Sequence, residues 1–555
     1  MPVLSGRRAL IQLLAQEGVE LMFGNPGTTE LPLMDALAGD ETLRYVLGLQ
    51  EAAVMAMADG YARASGRLAV VNLHAAPGLG NAMGMLYDAQ KAGAPVLVTA
   101  GQQDQGYGAS EPFLWADLPN LARPFVKWSG EVRRLADLPR LIRRAAKTAL
   151  APPTGPVFLS LPADILQDEA PLDLGAPTRI APRLRGDPAA VEAAAALLAR
   201  ASRPVIIAGD AVAHSRAHGE LAGLAELIGA PVYGEPVAST ASFPASHPLF
   251  RGALTRLGPA IREALAGYDL LLSVGADLFT LSLPSTVEPL PDGLAIIHLD
   301  PDPWELGKNY AEAVSILGDP KATLPDLAAA VRAKLGAAAS AAAQARLAAE
   351  MRVAATERRA LLAEAEAAAA IVPIRPLALL AAIGAALPAD AVVVEETISS
   401  GRGLHRLLRT DDPQSFFGLC GGGIGWGLPA AVGVKLALPD RPVVALIGDG
   451  SALYTIQALW TAARYRVGVV FVILNNASYR VLKQRVTALK GHAAQTGRYV
   501  GMDLDDPAID FVGLARSFGV AAARVASVDE AIERLGQALA DGGPTLIDVT
   551  LDRTL

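Results

Sequence analysis

Short apolar runs alternate with helical patterns along the whole chain. Runs such as Val157–Leu161 and Leu270–Val274 are almost entirely apolar, which is typical of strands buried on both faces. Parallel strands need a long crossover connection, usually a helix, so this alternation predicts α/β domains with parallel sheets. Because 555 residues are too many for one core, we expect three doubly wound parallel-sheet domains, over residues 1–170, 188–335 and 373–555.

Two segments join these predicted domains. The stretch Pro162–Pro188 is rich in proline and in charge, which is typical of a linker. The stretch Ala333–Ala370 is rich in Ala, Glu, Arg and Leu, which favours a helix followed by a connector.

The composition argues against several classes of protein. Hydrophobic residues make up 52% of the chain and charged residues 19%, so we expect a well-buried globular protein rather than a disordered one. A formal net charge of −8 argues against nucleic acid as a partner, because phosphate binding needs a basic surface. The longest apolar runs fall well short of the ~20 residues of a membrane span, and the N-terminus lacks an apolar stretch followed by a cleavage site. The single cysteine, Cys420, argues against a disulfide framework. Together these features lead us to expect a cytoplasmic protein.

The strongest local signal is the Gly-Asp-Gly-Ser motif at Gly448–Ser451, together with an Asn-Asn pair at 475–476. The run Val443–Ile447 predicts a buried strand that ends at the motif. Residues 451–466 predict an amphipathic helix, and the next buried strand ends at the asparagine pair. Both polar strand ends are therefore expected at the carboxyl edge of one parallel sheet, where such folds bind ligands.

The residues at this edge suit a diphosphate and a magnesium ion. Gly450 and Ser451 open the predicted helix, so their amides can hold a diphosphate at the positive end of its dipole. Asp449 and Asn476 offer hard oxygen ligands, and phosphate oxygens, a backbone carbonyl and water complete the octahedron that Mg²⁺ demands. A lone Gly-Asp-Gly would be an ordinary turn, but the complete strand–helix–strand arrangement favours cofactor binding. This arrangement resembles the thiamine-diphosphate-binding motif of the pyruvate-decarboxylase-like enzymes.

Glu51 lies far from this motif, at the start of an apolar helix that follows a strand-like run. By itself it would be a helix-start acid favoured by the dipole. In the family that the chain resembles, a glutamate in this setting hydrogen-bonds the aminopyrimidine ring of the cofactor and promotes the tautomer that activates the thiazolium carbon. The resemblance therefore implies that Glu51 is the activating carboxylate.

The run Gly421–Trp426 is suited to bending the cofactor. Its glycines let the backbone approach the ring closely, and Ile424 supplies a bulky wedge beneath the bend. By resemblance, the carbonyl of Gly422 accepts a hydrogen bond from the exocyclic amine. The alternative is a dinucleotide-binding loop, which needs a strand before the glycines and an acid at the end of a second strand. No clear strand is predicted before Gly421, and Asp440 precedes a strand rather than following one, so the wedge is favoured.

Within this family the chain resembles the benzoylformate decarboxylases over nearly its whole length. The matching stretches are residues 24–28, 72–74, 80–84, 99–103 and 458–463. The resemblance implies pyrimidine-binding, middle and diphosphate-binding domains, in that order. It also implies that subunits share active sites, so that Glu51 of one chain serves the cofactor held by Asp449 and Asn476 of its partner. A homodimer would then be the minimum unit, and we expect a homotetramer.

The resemblance also assigns roles position by position. Thr28 stands where the family has a serine that contacts the substrate. His74 matches a histidine that relays protons at the reacting carbon, the alternative being a polar residue in a strand-to-loop turn. Ser399 matches a diphosphate contact, the backbone carbonyl of Ser478 matches a metal ligand, and we also assign Tyr479 to the cofactor site.

Departures from the family concern the substrate more than the cofactor. Ser282 stands where the family has a second active-site histidine. The stretch Tyr479–Arg485 replaces small and aromatic residues with bulk and charge, which makes Val481 and Arg485 candidate substrate contacts. Either this stretch is a solvated basic helix face, or Arg480 or Arg485 binds an anionic group of the substrate.

These residues together predict an enzyme that decarboxylates a 2-oxo acid without oxidation, with Thr28 and His74 positioning the substrate. Carboligation to an aldehyde is a second expected outcome. An acetolactate-synthase-like or 2-hydroxyacyl-CoA-lyase-like carboligase is the alternative, supported by the basic residues around Arg485. A non-catalytic binding protein of the same fold is the alternative from another class, which the presence of Glu51 and Asp449 argues against.

Overall fold

The computed structural model describes residues 1–554, and the chain divides into two compact units. The first unit comprises residues 1–180, 393–400 and the chain from 419 onward, and the second comprises residues 181–392 and 401–418. Within the described residues, no helix combines the length and the apolar composition that a membrane span requires.

The N-terminal part of the first unit is a parallel sheet flanked by helices. Short 3₁₀ turns interrupt it at Thr28–Glu30, Gln105–Ser110, Arg123–Phe125 and Leu135–Asp137. Its strands and helices in chain order are β1 Val3–Ser5, α1 Gly6–Gln16, β2 Leu21–Gly24, α2 Leu31–Leu37, β3 Arg44–Leu47, α3 Glu51–Ser65, β4 Ala69–Leu73, α4 Ala75–Lys91, β5 Val96–Gln102, α5 Leu118–Ala122, β6 Ser129–Glu131, α6 Leu138–Leu150, β7 Val157–Pro162, α7 Ala163–Gln167 and β8 Glu169–Pro171.

Six of these strands form one sheet in the order β3-β2-β4-β5-β7-β6, and every neighbouring pair is parallel. The central strands β4 and β5 are buried at every residue, as expected for strands covered by helices on both faces. Strands β1 and β8 form a separate antiparallel pair. The sheet therefore presents the carboxyl ends of β2, β3, β4 and β5 along one edge.

The second unit holds another parallel sheet and the long helix that the Ala-rich segment predicts. Its sheet has the order β11-β10-β9-β12-β13-β14. Its elements up to residue 392 are α8 Pro188–Leu198, β9 Pro204–Ala208, α9 Asp210–Ser215, α10 His218–Ile228, β10 Val232–Gly234, β11 Phe250–Ala253, α11 Gly258–Leu265, β12 Leu270–Val274, β13 Ala295–Asp300, β14 Val314–Leu317, α12 Pro320–Lys334, α13 Ala337–Ala367 and α14 Pro376–Ala386.

The remaining elements complete both units. Residues 401–418 of the second unit contain a short helix and a short strand, and within the first unit the third parallel sheet has the order β15-β17-β18-β20-β19. These elements are β15 Val392–Glu396, α15 Leu404–Leu407, β16 Phe416–Gly418, α16 Gly427–Ala437, β17 Val443–Gly448, α17 Asp449–Ala452, α18 Ala458–Tyr465, β18 Val469–Asn475, α19 Arg480–Ala488, α20 His492–Thr496, α21 Phe511–Ser517, β19 Ala521–Val525, α22 Val528–Asp541 and β20 Thr545–Thr550.

The predicted class, α/β with three parallel sheets, is confirmed, but two local expectations are wrong. The helix predicted over 451–466 is two short helices, α17 and α18, separated by turns. Thr455 lies in that break, and its hydroxyl donates to the carbonyl of Gly425 at 2.5 Å, so a tertiary contact outweighs the helical periodicity. A strand, β16, does precede Gly421. It has only three residues, which is too short for its sequence pattern to predict it.

The predicted linker Pro162–Pro188 is more ordered at its start than expected. It contains α7 and β8, and residues 172–187 have no regular secondary structure. The bounds of the three domains stay a prediction.

Candidate active site

Asp449 and Asn476 lie side by side because their strands pair in register. Strands β17 and β18 are parallel, with Gly448 opposite Leu474, so Asp449 and the asparagine pair follow the same edge of the sheet. The backbone N–H of Ser478 donates to a carboxylate oxygen of Asp449 at 3.3 Å, and its hydroxyl donates to Oδ1 of Asn476 at 2.8 Å. The structure thus brings the three predicted metal ligands together.

The Asp449 carboxylate is buried, and in the described chain it forms no salt bridge. Burial raises the pKa of Asp449 to about 6, while hydrogen bonds from the backbone N–H groups of Gly450, Ala477 and Ser478 oppose that rise. A buried carboxylate held only by neutral donors is a favourable site for a cation, because a positive ion would stabilise its charged form. The donors present, one carboxylate, one amide oxygen and one backbone carbonyl, fit Mg²⁺.

Strained backbone occurs next to several of the predicted site residues. Among the eight non-glycine residues with positive φ angles in the described chain are Ala75 at 46°, Ile398 at 48° and Ala477 at 51°; these three concern the site. Each is next to a predicted site residue, namely His74, Ser399, and both Asn476 and Ser478. A left-handed conformation costs about 1–2 kcal/mol for such residues, and strain of this kind tends to persist at functional sites.

Gly450 allows Tyr479 to pack against the turn Gly448–Ser451. A Cβ atom at Gly450 would lie 2.5 Å from Cε1 of Tyr479, so a larger residue would displace the ring. The sequence assigned both residues to the cofactor, and the structure places them in contact.

Arg480 is committed to the protein rather than to a ligand. Its guanidinium donates to the carbonyl of Ser399 at 3.1 Å, to the hydroxyl of Ser400 at 3.0 Å and to the carbonyl of Asp552 at 3.2 Å, and a weaker contact reaches Oγ of Ser399 at 3.4 Å. Burial lowers its pKa. In this arrangement the Arg480 side chain stabilises the loop that carries Ser399, which argues against the hypothesis that Arg480 binds an anionic group of the substrate.

Arg485 is arranged differently. It is half-buried on α19, and within residues 1–554 it makes no hydrogen bond or ion pair. Val481 is half-buried one turn earlier on the same helix. Arg485 therefore remains available to an anionic group.

The glycine loop is held by two acidic residues that the sequence analysis missed. Gly423 donates its N–H to Asp88 at 3.0 Å, and Gly425 and Gly427 donate theirs to Glu396 at 2.6 Å each. Gly422 is exposed, with a φ of 88°, and nothing lies within 4 Å of the place a Cβ would take. Ile424, between two of the anchored amides, is half-buried.

Glu51 is the first residue of α3, after the N-cap Gln50, whose side chain accepts from the N–H of Ala53 at 3.1 Å. The Glu51 carboxylate is half-buried and accepts from Nδ2 of Asn81 at 3.0 Å. Gly78 packs beside it, since a Cβ there would lie 3.4 Å from Oε1 of Glu51. The carboxylate is thus oriented at the edge where β4 ends.

His74, at the end of β4, is oriented by Glu30. Its Nδ1 lies 2.8 Å from Oε2 of Glu30 and 3.2 Å from Oγ1 of Thr29. Glu30 is only 1% exposed and also accepts from the N–H groups of Gly27 and Gly101, at 2.9 and 3.0 Å. With Nδ1 engaged, Nε2 is the ring nitrogen left for a substrate.

Close packing explains the first glycine in this part of the site. A Cβ at Gly27 would lie 2.2 Å from the ring of His74, so only glycine lets the turn pass the imidazole. Thr28 follows it, exposed at the start of a 3₁₀ turn. Glu30 was missed because no motif links it to a histidine 44 residues away.

The site residues form two groups within one chain. No hydrogen bond or ion pair in the described structure joins Glu51 or His74 to Asp449, Asn476 or Ser478. Ser282 belongs to the second unit, where it is half-buried after β12 and donates its N–H to the carbonyl of Arg256 at 3.0 Å.

Three family models match the chain. They are the N-terminal thiamine pyrophosphate binding domain of thiamine pyrophosphate enzymes at residues 4–113, their central domain at 191–327, and their C-terminal thiamine pyrophosphate binding domain at 399–549. The two binding domains contain the two groups of site residues described above.

Similar proteins agree with these matches. The benzoylformate decarboxylase of Pseudomonas aeruginosa is 38% identical, over 98% of each chain. A probable acetolactate synthase large subunit of Methanocaldococcus jannaschii is 30% identical, over 99% of this chain and 92% of that one. The solved structure of the thiamine-diphosphate-dependent 4-hydroxybenzoylformate decarboxylase of Rhodococcus jostii superposes with a TM-score of 0.87 at 35% identity, covering 99% of this chain and 100% of that one. The chain therefore belongs to the thiamine-diphosphate-dependent decarboxylase family that includes the benzoylformate decarboxylases.

Proposed function

We propose that this enzyme catalyses the non-oxidative decarboxylation of a 2-oxo acid, with thiamine diphosphate and Mg²⁺ as cofactors, in the cytoplasm. The observation that carries the proposal is the His74–Glu30 pair. It provides an oriented ring nitrogen for proton steps at the reacting carbon, in a chain whose family performs carbon–carbon cleavage.

The cofactors are held by the C-terminal group. Asp449, Oδ1 of Asn476 and the carbonyl of Ser478 would bind Mg²⁺, and the amides of Gly450 and Ser451 would hold the diphosphate. When bound, thiamine diphosphate supplies the electron sink that makes loss of carbon dioxide possible. Ser399 and Tyr479 border the same turn, Ile424 supports the bend, and Gly422 offers its carbonyl to the exocyclic amine.

The N-terminal group acts on the ring and on the substrate. Glu51 would hydrogen-bond the aminopyrimidine ring, since Asn81 already orients its carboxylate. Thr28 would contact the substrate with its exposed hydroxyl, and Nε2 of His74 would hold or release the proton at the reacting carbon. In the described part of the chain, neither Glu51 nor His74 forms a hydrogen bond or ion pair with Asp449, Asn476 or Ser478. In line with the family that the chain resembles, two protomers would share each site, in a homodimer at least and in a homotetramer as the expected assembly.

Carboligation is the second candidate, and Ser282 favours it. A serine is a poorer proton donor than a histidine near neutral pH, so protonation towards a released aldehyde would be slower and attack on a second carbonyl relatively faster. The unpaired Arg485 would suit a second substrate with an anionic group.

The experiment that tests the proposal measures carbon dioxide release from a panel of aliphatic and aromatic 2-oxo acids, with thiamine diphosphate and Mg²⁺ added. Aldehyde and 2-hydroxy ketone products are quantified in parallel, and CoA thioesters are included as acceptors. Release that requires both cofactors and is lost in Glu51→Gln supports the proposal. If no 2-oxo acid releases carbon dioxide and product forms only from CoA thioesters, the decarboxylase proposal is overturned in favour of a 2-hydroxyacyl-CoA-lyase-like enzyme.

A further inference from the structure

The loop Gly421–Gly427 gives three alternate backbone N–H groups to two carboxylates. Asp88, on α4, accepts from Gly423. Glu396, at the end of β15, accepts from Gly425 with Oε1 and from Gly427 with Oε2. One side chain thus uses both of its oxygens on the loop, and the other uses one.

Both carboxylates are buried and lack an ion-pair partner in the described chain. Glu396 is 0% exposed and Asp88 is 1% exposed. Burial raises the pKa of Glu396 to about 7 and that of Asp88 to about 8, while the loop amides oppose both shifts. Keeping two acids in such an environment is unfavourable unless their hydrogen bonds compensate, and those bonds go to the glycine loop.

The glycines of the loop are the residues that let the carboxylates approach. A Cβ at Gly421 would lie 2.3 Å from Oδ1 of Asp88, and one at Gly423 would lie 2.6 Å from Oδ2. A Cβ at Gly427 would lie 3.0 Å from the side chain of Glu396. These three glycines therefore face the acids, whereas Gly422 has open space around it.

Glu396 also contacts the turn Gly448–Ser451, because the hydroxyl of Ser451 donates a hydrogen bond to its carboxylate. The same carboxylate therefore joins the loop that carries Ile424 to the turn that carries Gly450 and Ser451. Ile424 is fixed from both sides, between the amides of Gly423 and Gly425.

We propose that Glu396 and Asp88 are positioning residues that set the glycine loop, and through it the Gly422 carbonyl and the Ile424 side chain, against bound thiamine diphosphate. The inference rests on the proposed function, since it takes the cofactor contacts of Gly422 and Ile424 from there. We expect substitution of Glu396 to have the larger effect, because both of its carboxylate oxygens accept hydrogen bonds from the loop.

The test compares Glu396→Gln with Glu395→Gln. Glutamine keeps one acceptor oxygen and turns the other into a donor that faces a loop N–H, so Glu396→Gln leaves one buried amide unpaired. Glu395 is the adjacent control, because its Oε1 accepts from the N–H and hydroxyl of Thr397, outside the glycine loop. We expect the Kd of thiamine diphosphate, measured by calorimetry on the full-length apo-protein with Mg²⁺, to rise about tenfold or more in Glu396→Gln and to change little in Glu395→Gln.

A second readout separates positioning from general damage. The near-ultraviolet circular dichroism of the bound cofactor reports the tautomer of its aminopyrimidine ring, and we expect this signal to change in Glu396→Gln at saturating thiamine diphosphate. Asp88→Asn, which keeps the single acceptor oxygen, should retain the signal, whereas Asp88→Ala should lose it. An unchanged Kd and an unchanged signal in Glu396→Gln would overturn the inference.

Hydrogen exchange on the native apo-protein gives an answer even if Glu396→Gln fails to fold. The amides of Gly423, Gly425 and Gly427 should be protected before any cofactor is added, and rapid exchange at all three would overturn the inference. If the native protein itself fails to bind thiamine diphosphate while these amides are protected, the proposed function fails and the loop anchoring stands.

Discussion

Oε2 of Glu30 lies 2.8 Å from Nδ1 of His74, at the point where strand β4 ends. The carboxylate engages Nδ1 and so fixes Nε2 as the ring nitrogen left for a substrate. The pair resembles other carboxylate–histidine arrangements in which the acid orients the base without itself exchanging a proton.

Replacing Glu30 by glutamine should lower kcat by about 10-fold to 100-fold and change KM little, because His74 would lose its fixed tautomer. A double-mutant cycle with His74→Ala checks the coupling by steady-state kinetics. If Glu30 acts through His74, Glu30→Gln should have little further effect on kcat in the His74→Ala background. An additive loss would instead indicate an effect on the fold, which the hydrogen bonds from Gly27 and Gly101 would explain.

The buried acid Asp88 makes stability depend on pH in a direction opposite to the usual one for carboxylates. Its pKa rises from 3.8 to about 8 on folding, so between these values the folded state holds a proton that the unfolded state has lost. Stability should therefore increase as pH falls from 8 towards 4, by about 1.4 kcal/mol per pH unit for this group.

The variant Asp88→Asn tests this dependence. It has no proton to release, so its unfolding free energy at pH 8 should exceed that of the native protein, and the difference should shrink as pH falls. Urea unfolding at pH 6, 7 and 8 measures both chains. The pKa of Glu396 is raised as well and Glu396 is present in both chains, so the difference in slope reports Asp88 together with its coupling to Glu396. Parallel slopes would contradict the prediction.

Substitution by methionine should affect stability at Arg480 and substrate binding at Arg485. Arg480→Met should lower the unfolding free energy by about 1–3 kcal/mol, because it leaves buried oxygens of Ser400 and Asp552 without their donor. Arg485→Met should leave stability unchanged and raise KM only for substrates that carry a second anionic group. Equal KM changes for 2-oxo acids with neutral and with anionic side chains would remove Arg485 from the substrate site.

Ser282→His should shift the products towards released aldehyde. A histidine restores a proton donor that titrates near neutral pH, so protonation gains relative to carboligation. Gas chromatography of aldehyde and 2-hydroxy ketone from one 2-oxo acid gives the ratio, with Ser285→His, on the same loop, as the control. An unchanged ratio in Ser282→His would mean that residue 282 has no part in partitioning.

Local patterns allowed part of this site to be predicted from sequence. Asp449 and Asn476 were found because each follows a strongly apolar strand, and parallel pairing brings the two strand ends together. Glu30, Asp88 and Glu396 were not found, because their partners are backbone amides or a ring far along the chain. Asp88 and Gly423, for example, are 335 residues apart.

Sequence spacing also cannot distinguish residues of the same type whose roles differ only because of their surroundings in the fold. Arg480 and Arg485 lie on one helix, and only the fold shows that the first is buried among carbonyl and hydroxyl oxygens. The helix predicted over 451–466 was wrong for the same reason, since the contact of Thr455 with Gly425 is invisible in a periodicity. Contacts distant in sequence account for what was missed.

Shared active sites make a prediction about mixtures of two inactive chains. Glu51→Gln removes the proposed activating carboxylate, and Asp449→Asn removes the proposed metal ligand, so each homodimer should be inactive. In a hybrid dimer one site receives both substitutions and the other receives neither. Random assortment makes half of the dimers hybrids, and half of their sites are native.

A refolded equimolar mixture should therefore recover about a quarter of native activity. Purifying the hybrid through two different affinity tags should raise this to about half, and carbon dioxide release measures both. Mixtures of each variant with native chain serve as controls for the efficiency of refolding. A purified hybrid without activity would mean that Glu51 and Asp449 of the same chain serve one cofactor, and the proposal of sites shared between protomers would then be wrong.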